Sequence, residues 1–264
     1  MGVSRRAWMG AALSAPLSRG QPRPLVIDAN CQAGLGEAMT APDTTRADVE
    51  VTLRRMREAG IDRTILSAVT NPGYEKPNQE IAEICKRNPG KFIGFARHDG
   101  EKGKGGIGTL LRREIETLGL RGLRVTRQPL RDVFDAAAEL RIPVLYESEV
   151  LSNIHLIAAE YPQLRFIVTS LGAGGREWAA HYEAIAIAQR YPNVYLTSSA
   201  LAGYKYFEIA ARELGAEKLI FSSDGPERDS RVELHRVRLL KLPPADEAKV
   251  LGGNILRMLP GATC

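Results

Sequence analysis

The chain has 264 residues, 44% hydrophobic and 25% charged, an ordinary composition for a globular protein that excludes disordered and collagen-like classes. The net charge of +5 is unevenly placed: Arg5, Arg6 and Arg19 lie in the first 20 residues, which hold no acidic residue, leaving +2 of it for the rest. With no basic stripe interleaved with aromatics, no nucleic-acid partner is expected. No apolar run approaches the ~20 residues of a membrane span, so no membrane insertion is expected either.

In chain order, the opening MGVSRRAWMGAALSAPLSRG runs from charged to apolar to small residues, the order of an export signal. Ser4 to Met9 resembles a twin-arginine leader, which implies a bacterial protein exported already folded. Residues 1–22 are therefore expected to be a leader or tail and 23–264 a single domain. A working leader implies a periplasmic or extracellular protein, and otherwise a cytoplasmic one. The three cysteines, Cys31, Cys85 and Cys264, are widely spaced and form neither a disulfide framework nor a Cys-x-x-Cys site.

From Pro24 onward, short apolar runs alternate with amphipathic stretches. Eight strands are expected at Leu25–Ala29, Thr64–Val69, Phe92–Ala96, Gly122–Thr126, Pro143–Glu147, Arg165–Ser170, Asn193–Ser198 and Leu219–Ser223. They are apolar almost throughout, as parallel strands covered on both faces must be. The first helix, Arg46–Ala59, is expected to be capped by Thr44 or Thr45 and closed by Gly60. Leu130, Val133, Phe134, Ala137 and Leu140 recur at helical spacing, and Glu177–Gln189 and Phe207–Leu214 have similar character. Eight strand–helix units predict an α/β fold, a single (β/α)8 TIM barrel, for which about 250 residues is the usual length.

Chemistry in such barrels sits at the C-terminal ends of the strands. That rule selects Asn30, Gln32, Arg97, His98, Arg124 to Arg127, Glu147, Ser170, Ser198 and Asp224. Alternation along a strand points Cys31 away from Asn30 and Gln32, and Arg124 inward between Leu123 and Val125.

Several segments carry a resemblance. VIDANCQAG (Val26–Gly34) lies where one family has Ile-Asp-x-His-x-His. RIPVLYESE, YPQLRFIVTSLGAGG, YPNVYLTSSA and KLIFSSDGP lie where it has its fifth to eighth strands, and KVLGGNILRML lies at its terminal helix. From about Leu25 to Leu259 the chain resembles the amidohydrolase-related family of small metal-dependent hydrolases and decarboxylases. The resemblance implies the same barrel and a site at its mouth. In that family, two histidines after the first strand, one each after the fifth and sixth, and an aspartate after the eighth surround a metal. Here the corresponding residues are Asn30, Gln32, Glu147, Ser170 and Asp224. None of His98, His155, His181 and His235 stands at those positions.

Zinc prefers imidazole and thiolate, so an all-oxygen set predicts no cofactor, or a weakly held hard cation on Glu147, Asp224, Asn30 and Gln32. Glu147 and Asp224 are then the expected catalytic pair, since two buried carboxylates close together push one pKa up. Arg124 is expected to grip a substrate carboxylate, with Arg97, Arg127, Asn30, Gln32, Ser170 and His98 around it. The expected function is a divergent hydrolase acting on a small polar or acidic substrate. The alternative is that Arg124 pairs with Glu147 or Asp224 and the barrel, catalytically inactive, binds a small ligand or a protein partner.

Overall fold

The computed structural model describes residues 23–36, 45–99, 106–126, 131–147, 150–172, 178–201 and 203–261. The expected leader, Arg127 and Cys264 lie outside the described residues. Among the described residues no helix is long and apolar enough to cross a membrane.

Among the described residues ten strands alternate with helices. β1 (Ile27–Gly36), β3 (Arg63–Ala68) and β4 (Phe92–Gly94) run parallel, and β2 (Thr45–Ala47) pairs antiparallel with the end of β1. β5 (Ala96–Arg97), β6 (Leu123–Val125), β7 (Val144–Tyr146), β8 (Phe166–Val168), β9 (Val194–Thr197) and β10 (Leu219–Ile220) form a second parallel sheet. Only Phe95 separates β4 from β5, so together they make one strand shared by both sheets, giving the eight strands of a (β/α)8 barrel. At the seam between β1 and the segment after β10, the N–H groups of Ala29, Asp224 and Gln32 donate to the carbonyls of Phe221, Asn30 and Gly225, in place of a regular ladder.

The helices follow their strands: α1 (Val49–Ala59), α2 (Glu75–Arg87), α3 (Ile107–Leu118), α4 (Arg131–Glu139), α5 (Ser152–Glu160), α6 (Trp178–Arg190), α7 (Tyr204–Leu214) and α8 (Ser230–Arg238). One boundary corrects the sequence reading. Residues 45–47 are strand, and the cap of α1 is Asp48, whose carboxylate accepts from the Glu50 N–H. A carboxylate there satisfies an orphan amide and faces the positive end of the helix dipole. Gly60 closes α1 in the left-handed region, as expected.

Two cores result. The larger lies between strands and helices and includes Leu66, Leu123, Val144, Phe166 and Leu219. The smaller fills the bottom of the barrel with Ile27, Ala29, Ile65, Phe95, Leu145, Ile167 and Ile220, closed from below by Ile255, Met258 and Leu259. Phe95 takes the space over Gly122, where a Cβ would stand 2.4 Å from the ring. This plug is apolar and close-packed, and Phe95→Ala would cost about 3–5 kcal/mol. Everything polar inside the barrel therefore sits above it.

Candidate functional site

A bulge in β1 builds the first wall. Its register against β3 slips between Asp28 and Cys31, so Ala29 and Asn30 stand opposite the single residue Ile65. Asp28 and Cys31 thereby share the outer face, where the Asp28 carboxylate accepts from the Ser223 N–H and hydroxyl and lies 3.3 Å from the Cys31 thiol. Asn30 and Gln32 turn inward, and both are buried.

Each of these inward amides receives one arginine. Arg124, 2% exposed, donates from Nη1 to Asn30 Oδ1 at 2.6 Å and from Nη2 to Glu147 Oε2 at 2.7 Å. The other end of the Asn30 amide donates to Asp224 Oδ1 at 3.0 Å. One chain of contacts thus joins β6, β7, β1 and the end of β10. Burial works against the Arg124 charge, but Glu147 and Asp224 outweigh it and hold the pKa above its ordinary value. Burial pushes the Asp224 carboxyl up to about 6; Arg124 opposes that shift, while Glu147 and Glu227 add to it. The Glu147 side chain is 44% exposed and opens this half of the layer to solvent.

Arg97 is tied down more completely. Its Nη1 donates to Gln32 Oε1 and the Ala68 carbonyl, its Nη2 to the Thr70 and Thr126 hydroxyls, and its Nε to Asp99 Oδ2 at 3.3 Å. Asp99 also accepts from the Tyr74 hydroxyl at 2.5 Å and from the Thr126 N–H. Burial raises the Asp99 carboxyl, but Arg97 and these donors prevail and hold it below the usual carboxylate range. Burial lowers Arg97, and the like charge of Arg124 adds to that.

The far wall is hydroxyl-lined. The Ser170 N–H donates to Thr197 Oγ1, and Ser170 Oγ lies 3.4 Å from Ser199 Oγ, which accepts from Ser222. Ser198 crosses to the Ser222 backbone. Ser170 joins this chain, and among the described residues no hydrogen bond links it to Arg124 or Asp224. Backbone strain concentrates at the same rim: Ser170, Leu171, Ala200 and Asp224, after β8, β9 and β10, all have positive φ although none is glycine. Each such residue costs about 1–3 kcal/mol, and strain of this kind gathers at functional sites.

His98 departs from its expected place. It is fully buried behind the strand, with Nε2 2.7 Å from Glu114 Oε2 of α3, and does not line the mouth. The physical reason is alternation: Arg97 points inward, so His98 points out to the helices. Asn78 of α2 completes this rear bracket, donating to Glu114 and gripping both the N–H and the carbonyl of Arg97.

A sequence model of the amidohydrolase family matches residues 32–261. The chain belongs to the amidohydrolase family. Among solved structures, this family member is similar to 2,6-dihydroxybenzoate decarboxylase from Rhizobium, with 16% identity, TM-score 0.70, and coverage of 89% of this chain and 98% of that one. Dihydroxybenzoic acid decarboxylase from a Polaromonas species, solved with manganese and the inhibitor 2-nitroresorcinol, matches at 17% identity, TM-score 0.66, and 89% and 96% coverage. For 4-oxalomesaconate hydratase from Rhodopseudomonas palustris the values are 14%, 0.65, and 89% and 96%. No curated protein matches in sequence. At these identities the structural likeness carries the barrel and nothing finer.

Several residues of this amidohydrolase layer escape a reading by strand ends alone. Asp99 and Thr70 sit just beyond their strands, and Tyr74, Asn78 and Glu114 come from the helical side. A signal existed for Glu114 and Asn78: each interrupts an apolar helix stripe, between Leu111 and Leu118 and before Ile81 and Ile84.

Proposed function

We propose that this family member is an acid–base enzyme for small carboxylate-bearing substrates, with Asp224 as the group that moves the proton. The supporting observation is Asp224 itself: at the barrel mouth, on a left-handed backbone, oriented by Asn30, with a carboxyl pushed up to about 6. Such a group is part-protonated near neutrality and serves as base or acid with little driving-force penalty. In hydrolysis of an activated ester or lactone, the Asp224 carboxylate takes a proton from water as the water oxygen bonds to the carbonyl carbon. The resulting carboxylic acid returns that proton to the leaving oxygen as the C–O bond breaks.

Arg124 supplies the grip. Its Nη2 is engaged by Glu147, and its Nε has no hydrogen-bond partner among the described residues. A substrate carboxylate that displaced the half-exposed Glu147 would bind the Nε/Nη2 edge bidentately, exchanging one carboxylate for another. The similar structures include decarboxylases of dihydroxybenzoates and a hydratase, and a carboxylate grip beside a proton-transfer group suits substrates of that class.

The second reading, a ligand-binding barrel without turnover, draws on the ion pair between Arg124 and Glu147 at 2.7 Å, which engages both groups with each other. A panel of small lactones, esters and aromatic carboxylates, offered to the wild type and Asp224→Asn, separates the two. Turnover in the wild type that falls at least about 100-fold in the variant supports the enzyme. Binding without turnover selects the second reading, and turnover indifferent to D224N removes Asp224 from its role.

A further inference from the structure

We propose that Arg124 is the resident cation of this barrel, and that its guanidinium holds the site closed to the divalent metal seen in a relative's structure. The inference rests on the same residues as the proposed function but not on turnover.

The donor set does not fit zinc or another metal that prefers imidazole or thiolate ligands. Asn30, Gln32, Glu147, Ser170 and Asp224 offer only amide, carboxylate and hydroxyl oxygens, with no imidazole or thiolate. Several of the oxygens that a hard cation would want are already committed. Asn30 Oδ1 and Glu147 Oε2 converge on Arg124 at 2.6 and 2.7 Å, and Gln32 Oε1 accepts from Arg97 at 3.0 Å. Asn30 presents to Asp224 an N–H, the partially positive end of its amide, which repels a metal ion. Turning that amide over would set its NH2 against the guanidinium, donor to donor, so the orientation is fixed by both neighbours. Ser170 is turned away, toward Thr197 and Ser199. A divalent ion sharing these oxygens would also stand against a buried, permanently charged guanidinium. Two fixed monovalent cations, Arg124 and Arg97, thus meet the carboxylates of this layer, held by covalent attachment to β6 and β5.

Removing the guanidinium should return Asn30, Glu147 and Asp224 to a diffusible cation. The probe is Mn²⁺, followed by electron paramagnetic resonance and thermal unfolding of the full chain. The wild type should bind no Mn²⁺ and keep an unchanged Tm in about 1 mM Mn²⁺ or in chelator. Arg124→Ala should lose roughly 10 °C in Tm, bind Mn²⁺, and recover stability with it. Arg124→Lys, which keeps a fixed charge, should stay indifferent to Mn²⁺ and covers the case in which R124A does not fold. Stoichiometric Mn²⁺ on the wild type or on R124K, or a folded R124A that takes up none, would overturn the inference. Neither readout requires activity, so a failed substrate screen and a failed metal test are separate results.

Discussion

The two arginines of the barrel mouth come from adjacent strands, yet their surroundings differ. Arg97 is saturated: Gln32, Ala68, Thr70, Thr126 and Asp99 accept its protons, Tyr74 lies beneath it at 5.3 Å, and Asn78 clamps its backbone from behind. Arg124 spends two nitrogens on Asn30 and Glu147, keeps an Nε without a partner among the described residues, and faces an Asp224 whose proton is loosely poised. A fully satisfied buried charge network specifies one geometry, and a partly satisfied one keeps capacity for a ligand. Under the proposed function, the same residue type serves as a structural tie on one side and as a working group on the other.

The largest expected effect tests the tie. Arg97→Ala removes a buried cation from five acceptors and should cost about 3–5 kcal/mol in denaturant unfolding, whatever happens to activity. A loss under about 1 kcal/mol would erase the contrast. Next, D224N should lower turnover by roughly 10²–10⁴ while preserving the fold, measured by steady-state kinetics and circular dichroism.

The third effect is a pH dependence of stability. The Asp224 carboxyl titrates near 6 in the fold against an ordinary 3.8, so between those values the folded state keeps a proton that the unfolded chain has released. Stability from this group is complete below about 3.8, declines as pH rises through about 6, and totals about 3 kcal/mol. D224N should abolish that decline, so unfolding curves at pH 4 and pH 8 should diverge less in the variant. Smaller still, Tyr74→Phe removes one donor from Asp99 and should cost about 1 kcal/mol. Glu147→Gln, at a half-exposed pair, should cost below about 1 kcal/mol of stability while changing ligand affinity.

Much of this was legible in the chain. Parallel strands buried on both faces leave continuous apolar runs, and their ends place Asn30, Gln32, Arg124, Glu147 and Asp224 at one rim. Alternation turns Arg124 in and Cys31 out. The same period turns His98 outward once Arg97 is inward, so its place behind the wall was readable as well. The cap of α1 was misplaced because several capping residues lie together before Val49, and propensity does not choose among Thr44, Thr45 and Asp48. Nor could spacing reveal that Glu114 and Asn78 brace Arg97, because these contacts join segments far apart in the chain.

The most direct test of the central claim is a carbon-detected NMR titration of wild type and D224N, both labelled at the aspartate carboxyls. A resonance titrating near pH 6 in the wild type and missing from the variant is the predicted result. If every aspartate of the wild type titrates at or below its ordinary value, Asp224 is not poised for proton transfer, and the division of labour between the two arginines loses its functional half.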